Sequence, residues 1–256
     1  MKEKQPDNVI TVEHLNFYYG KNQALYDISL DIPAREVTAF IGPSRAGKST
    51  LLRCFNRMND IIPEGRMVGT LLVDDDDIYE EGYPLEPLRK KVGMVFQGTN
   101  PFPMSIYQNV VFGPRMAGMH AREQLEELVE FALKQVNLWE EVKDRLHHSA
   151  FALSEGEQQQ LCIARTLANA PHILLIDDPT ASLDPISTER IERTIRELQS
   201  HYTIVVGTRK RRQAARISDR IAFFWDGKLI EYGTTEQIFT NPKEKLTDDY
   251  ITGRSG

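Results

Sequence analysis

Gly42-Pro43-Ser44-Arg45-Ala46-Gly47-Lys48-Ser49-Thr50 decides how this chain is read. The stretch fits G-x-x-x-x-G-K-[ST], and it lies between an apolar run, Val37 to Ile41, and a segment with helical character, Lys48 to Met58. A buried strand that runs into such a loop and then into a helix is the context in which this pattern holds phosphate. Backbone N–H groups of the loop and the helix start surround the phosphates, Lys48 neutralises oxygens on the terminal ones, and the Ser49 hydroxyl is placed to ligate Mg²⁺. A glycine-bearing turn with an incidental lysine is the bland alternative, and the flanking strand and helix weigh against it.

A second strand, one that bears a carboxylate, strengthens that reading. Ile173-Leu174-Leu175-Ile176-Asp177 is a short apolar run ending in aspartate, the arrangement that holds Mg²⁺ beside a phosphate loop. Alone, a strand-terminal Asp is usually a turn or helix-cap residue; after the loop, in this order, it is a metal-ligand candidate.

Further outward, short apolar runs alternate with helical stretches, which predicts an α/β protein with a largely parallel sheet. Val9 to Tyr18 and Ala24 to Ile32 read as paired strands joined by Tyr19-Gly20-Lys21-Asn22, with Pro33 closing the second, and so predict an antiparallel β layer. Gly69 to Val73 and Val92 to Phe96 are further strands. Between Gly98 and Ala168 strand patterns vanish, and Ala121 to Val136 sets Leu125, Leu128, Val129 and Ala132 on one helical face. The expected organisation is one domain over 1–256, with a core of 1–97 and 169–256 and an inserted helical subdomain over 98–168. Beyond it come a helix from Ile186 to Leu198, a strand from Thr203 to Val206, and a hairpin of Ile221 to Trp225 and Lys228 to Tyr232 about Asp226-Gly227.

Composition narrows the class. Hydrophobic residues at 41%, charged residues at 27% and a mean hydropathy of -0.41 exclude disordered and collagen-like chains. No apolar run approaches the roughly 18 residues of a membrane span. The start, Met1 to Asp7, lacks the apolar core of a signal peptide, and two cysteines, Cys54 and Cys162, make no disulfide framework, so a cytosolic setting is expected. A net charge of -6 speaks against wholesale binding to nucleic acid or anionic lipid, so a membrane link is expected to come through a partner. Arg209-Lys210-Arg211-Arg212 reads as a solvated basic turn, Asp74 to Asp77 as a solvated turn without calcium-loop spacing, His147-His148 as surface, and Cys162 as a buried small residue.

Gln97 at a strand end, Leu153-Ser154-Glu155-Gly156-Glu157-Gln158-Gln159-Gln160, Asp177-Asp178-Pro179-Thr180 and Ser182-Leu183-Asp184 complete a series that resembles an ATP-binding cassette (ABC) domain, whose signature is LSGGQ. The likeness runs over nearly the whole chain. Phe55-Asn56-Arg57-Met58-Asn59-Asp60, Asn100-Pro101-Phe102-Pro103-Met104-Ser105-Ile106-Tyr107 and Asp249-Tyr250-Ile251-Thr252-Gly253-Arg254 are similar to the ATPase subunit of bacterial phosphate importers. The resemblance implies a P-loop NTPase core of ABC type and roles residue by residue. Gly42 to Thr50 would bind the phosphates of ATP, and Ser49, Asp177 and Gln97 would serve Mg²⁺. Tyr19 would stack on adenine; Ser154 and Gly156 would meet a partner's nucleotide, and Asp184 would signal across a dimer. It further implies two transmembrane permease subunits, a second cassette that is either a copy of this chain or an intact relative, an indirect link to a phosphate-binding protein outside, and a place on the cytoplasmic face of the inner membrane.

Several positions depart from the family pattern. Asp178 stands where a glutamate would act as general base; one methylene fewer withdraws the carboxylate by roughly 1.5 Å, and about 1 Å of misplacement costs on the order of 10²-fold in rate. Arg209 replaces a histidine that orients water and γ-phosphate; it keeps positive charge but neither accepts a hydrogen bond nor releases a proton near neutral pH. Glu155, Glu157 and Gln160 replace glycine, glutamine and arginine, and each lowers the charge of the signature segment. A carboxylate facing a partner's γ-phosphate costs about 1 kcal/mol in watery surroundings and about 4 kcal/mol at an effective dielectric of 20. Arg45 replaces glycine, which strains the backbone if its φ is positive or else supplies a phosphate contact. The expected outcome is Mg-ATP binding with hydrolysis weak or lost.

Overall fold

The computed structural model describes residues 8–254; the expectation for Met1 to Asp7 lies outside them. The phosphate loop sits between two sheets. One is a four-stranded antiparallel layer built from β1 (Asn8–Tyr19), β2 (Asn22–Pro33), β4 (Gly65–Val73) and β5 (Asp76–Asp77), in the order β2-β1-β4-β5. The other has six strands, β3 (Val37–Ile41), β6 (Val92–Val95), β7 (Ile173–Asp177), β8 (Thr203–Thr208), β9 (Arg220–Trp225) and β10 (Lys228–Thr234), in the order β10-β9-β3-β8-β7-β6. All neighbours in it are parallel except β10 with β9.

Every residue of β3, β7 and β8 is buried, as strands of a sheet covered on both faces must be. Ile10, Phe17, Leu25 and Ile28 of the antiparallel layer pack with Phe40, Leu51 and Phe224, around α1 (Lys48–Cys54) and α2 (Leu85–Lys91). On the opposite face, Leu174, Ile176, Ile204 and Val206 meet α3 (Ile106–Met116), α4 (Arg122–Gln135), α6 (Glu155–Leu167) and α7 (Pro185–Leu198), with α5 (Trp139–Val142) following α4. The remaining helices α8 (Arg211–Ile217), α9 (Thr235–Thr240) and α10 (Lys245–Thr252) close the edge near β9 through Ala214, Ile238 and Tyr250.

The structure shifts some boundaries. Tyr19 and Asn22 are paired strand residues, so only Gly20-Lys21 connect β1 to β2. The helix expected to run to Met58 ends at Cys54, because Arg57 takes a left-handed φ of 54 and Asn59 Nδ2 donates back to the Thr50 carbonyl at 2.9 Å. Between Gly98 and Ala168 the described elements are helical, joined by an isolated bridge between Ser105 and Ser149. The hairpin forms as expected, with Asp226 and Gly227 at φ 47 and 76.

Candidate functional site

The loop after β3 curls under its own lysine. Lys48 Nζ, nearly buried, donates to the carbonyls of Gly42 and Pro43 at 2.7 Å each. Burial holds its ammonium at a pKa of about 8, partly opposed by Asp178 and Asp177, a standing deficit that an anionic ligand would relieve. Gly42 is required by close packing: a Cβ there would lie 2.1 Å from the Phe224 carbonyl of β9. Gly47, at φ 96, caps α1, and Ala46 is buried. Arg45 is exposed and carries φ 66, a conformation that glycine would take at less cost.

Beside the loop, Ser49 Oγ donates to Asp177 Oδ1 at 2.8 Å. Asp177 Oδ2 is buried with no partner, and burial raises the carboxyl's pKa against the opposing Ser49 hydrogen bond. A hydroxyl oxygen and a carboxylate with an orphaned oxygen form a hard-oxygen donor pair that fits Mg²⁺, a cation that completes its shell with phosphates and water. No group of three or more His, Cys, Asp or Glu is placed to hold a metal among the described residues, so such an ion would depend on a bound phosphate.

A cleft of about 390 Å³ opens along the loop, lined by Tyr19, Gln23, Ala24, Tyr26, Arg45 to Thr50, Asp226 and Gly227. Tyr19 shares a hydrogen bond with Thr50 Oγ1 at 3.1 Å and packs edge-on against Phe17, so its ring is anchored at both ends. Sequence reading missed the Asp226-Gly227 turn as part of this wall. It recognised the hairpin, but only the parallel pairing of β9 with β3 carries that turn to the loop. Arg53, whose buried Nε has no partner, was also missed; it faces Asp177 electrostatically.

Asp178 follows at a left-handed φ of 44, its N–H donating to the Gly207 carbonyl at 2.7 Å. Its Oδ2 accepts from Arg209 Nε at 3.1 Å, while Arg209 Nη1 donates to Ser44 Oγ at 3.3 Å. The two substituted positions are therefore bonded to each other. The adjacent basic run corrects the expectation of a solvated turn: Lys210 donates to the Thr180 carbonyl and Arg211 to the Tyr250 carbonyl.

Other expected site residues stand apart. Gln97 is exposed and forms no hydrogen bond to Ser49 or Asp177. Ser154, Gly156 and Asp184 do not line the loop cleft; Ser154 and Asp184 are exposed, and Gly156 is buried. Ser154 caps α6 in a capping box with Glu157, whose Oε2 accepts from Ser154 N and Oγ at 2.8 Å while Oε1 accepts from Arg145 at 3.2 Å. Glu157 is thus paired with Arg145 and bonded to its own helix start, while Glu155 is exposed. Gln160 is buried and donates to the Val136 carbonyl at 2.6 Å, tying α6 to the end of α4. Asp184 caps α7 and accepts from Ser187 Oγ at 2.5 Å, which lowers its pKa. A Cβ on Gly156 would meet that Ser187 Oγ at 2.5 Å, so the glycine lets α6 lie against the start of α7.

A family model described as ABC transporter matches residues 25–181. The chain belongs to the ABC transporter family. Among solved structures, this cassette is similar to cbiO1 from Clostridium perfringens, part of the ABC transporter complex cbiONQ, with 28% identity, a TM-score of 0.81 and 97% of each chain covered. It is also similar to a bacterial Atm1-family ABC exporter with ATP bound, at 26% identity and a TM-score of 0.80, matching 99% of this chain but spanning 43% of that one. A third likeness is to the ATP-binding cassette MJ0796, a dimer in a post-hydrolysis state with ADP and Pi, at 27% identity and a TM-score of 0.75, covering 88% of this chain and 98% of that one. This cassette is an ABC ATPase nucleotide-binding domain, and among its described residues no helix is long and apolar enough to cross a membrane.

Proposed function

We propose that this cassette binds Mg-ATP as a nucleotide-binding subunit of an importer, by ancestry a phosphate importer, and that it turns ATP over weakly or not at all. The observation that carries this is the contrast at the heads of β7 and β8. Ser49 Oγ is bonded to Asp177 with Asp177 Oδ2 left without a partner, whereas the general-base position carries the shorter carboxylate of Asp178, paired in the resting chain with Arg209 in place of a histidine. Bound Mg²⁺ would neutralise charge on the β and γ phosphates. Ser49 and Asp177 would hold it, Lys48 would exchange the Gly42 and Pro43 carbonyls for phosphate oxygens, and Tyr19 would stack on the base.

The phosphate-import reading rests on the stretches Phe55 to Asp60, Asn100 to Tyr107 and Asp249 to Arg254; the solved structures reported above include a part of cbiONQ and an exporter. Two permeases, a second cassette meeting this one near Ser154, Gly156 and Asp184, an external phosphate-binding protein and a peripheral place on the inner face of the membrane belong to the same reading. The ion pair also favours a second one, a non-hydrolysing ATP-binding subunit with a structural or regulatory task. Equilibrium Mg-ATP binding and steady-state phosphate release on one preparation separate them. Saturable binding with slow release supports the importer subunit, binding with none supports the regulatory subunit, and rapid release sinks both.

A further inference from the structure

Asp178 is 7% exposed, its Oδ1 is buried without a partner, and its one ion pair among the described residues is with Arg209. Arg209 is half exposed, so the guanidinium has a wet side along which it can swing. It already leans over the loop, at 3.3 Å from Ser44 Oγ. A terminal phosphate drawn in by Lys48 would bring its oxygens to the same guanidinium. The planar N–H fork of arginine suits carboxylate and phosphate alike and keeps its charge throughout.

We propose that Arg209 is a latch exchanged between two anions: without a triphosphate it holds Asp178, and with one it leaves Asp178 for the γ-phosphate. The proposal rests on the reading of the loop as a Mg-ATP site. Asp178 then acts as an internal competitor. It subtracts from triphosphate affinity, leaves diphosphate affinity alone, and is withdrawn from service as a base in the resting chain. The same pair explains why the two substitutions suit each other, since a shorter carboxylate is met by a longer cation.

Calorimetry on the full chain tests this with Mg-AMP-PNP and Mg-ADP, using Asp178→Asn, Arg209→Gln and the double variant. The latch predicts that Asp178→Asn tightens AMP-PNP by about tenfold, the worth of one charge-assisted hydrogen bond, and leaves ADP unchanged. In the Arg209→Gln background the same change should have little effect, and Arg209→Lys, which keeps charge without the fork, should fall between. Equal tightening with and without Arg209 would overturn the latch, because Asp178 would then act on phosphate by repulsion alone. No tightening, or equal gains for both nucleotides, would overturn it too while leaving the nucleotide site standing. Failure of the unaltered chain to bind either nucleotide would remove the site and the latch together.

Discussion

The loop at the start of α1 and the surface at the start of α6 are both helix N-termini, yet the chain has treated them differently. At α1 the lysine, serine and glycines of the G-x-x-x-x-G-K-[ST] pattern are all present, and the tight spot is Gly42 beneath the Phe224 carbonyl. At α6 the helix start is occupied by its own carboxylate: Glu157 closes a capping box on Ser154 and pairs with Arg145. The first N-terminus has no side-chain cap, and the second gives the N–H groups of Ser154 and Glu157 to its own side chains. A helix start therefore becomes an anion site only where the side chains leave it open.

The largest way to break this contrast is at Lys48. Lys48→Ala should weaken Mg-ATP binding by roughly 10³-fold, the loss expected when a buried charge partner is removed, as read by calorimetry; retention of affinity would mean that the loop is not the site. The next lies in combining Asp178→Glu, Arg209→His, Glu155→Gly and Glu157→Gln, which should raise phosphate release by roughly 10²-fold if geometry at the base is what limits turnover. An unchanged rate would place the block elsewhere.

Two smaller effects sharpen the comparison through stability. Ser154→Ala should cost about 1 kcal/mol of unfolding free energy in a denaturant titration, because the cap and its reciprocal bond go together. An indifferent response would show that α6 does not depend on its capping box. Arg45→Gly should be nearly neutral, stabilising by at most about 0.5 kcal/mol, since relief of a left-handed φ is offset by the greater freedom of glycine in the unfolded chain.

The parts legible in the sequence were those written locally. The loop, the strand ending at Asp177 and the Asp226-Gly227 turn carry their chemistry within a few residues, and all three form where expected. What was not legible depends on residues brought together from far apart. Arg209 meets Asp178 and Ser44 across separations of 31 and 165 residues, so a substitution read as a damaged position is in fact one end of a bond. Glu157 was read as a charge facing outward because its capping role competes with its signature role at the same three-residue spacing. The end of α1 was set too late because nothing periodic announces the left-handed Arg57; the Asn59 side chain, folding back on Thr50, decides it.

The central claim is that the chain holds ATP without spending it, and the nucleotide that stays bound tests it most directly. The unaltered chain would be incubated with Mg-ATP for many minutes, freed of excess nucleotide, denatured with acid, and its bound nucleotide separated by chromatography. The account predicts that ATP is recovered. Recovery of the nucleotide wholly as ADP would contradict it.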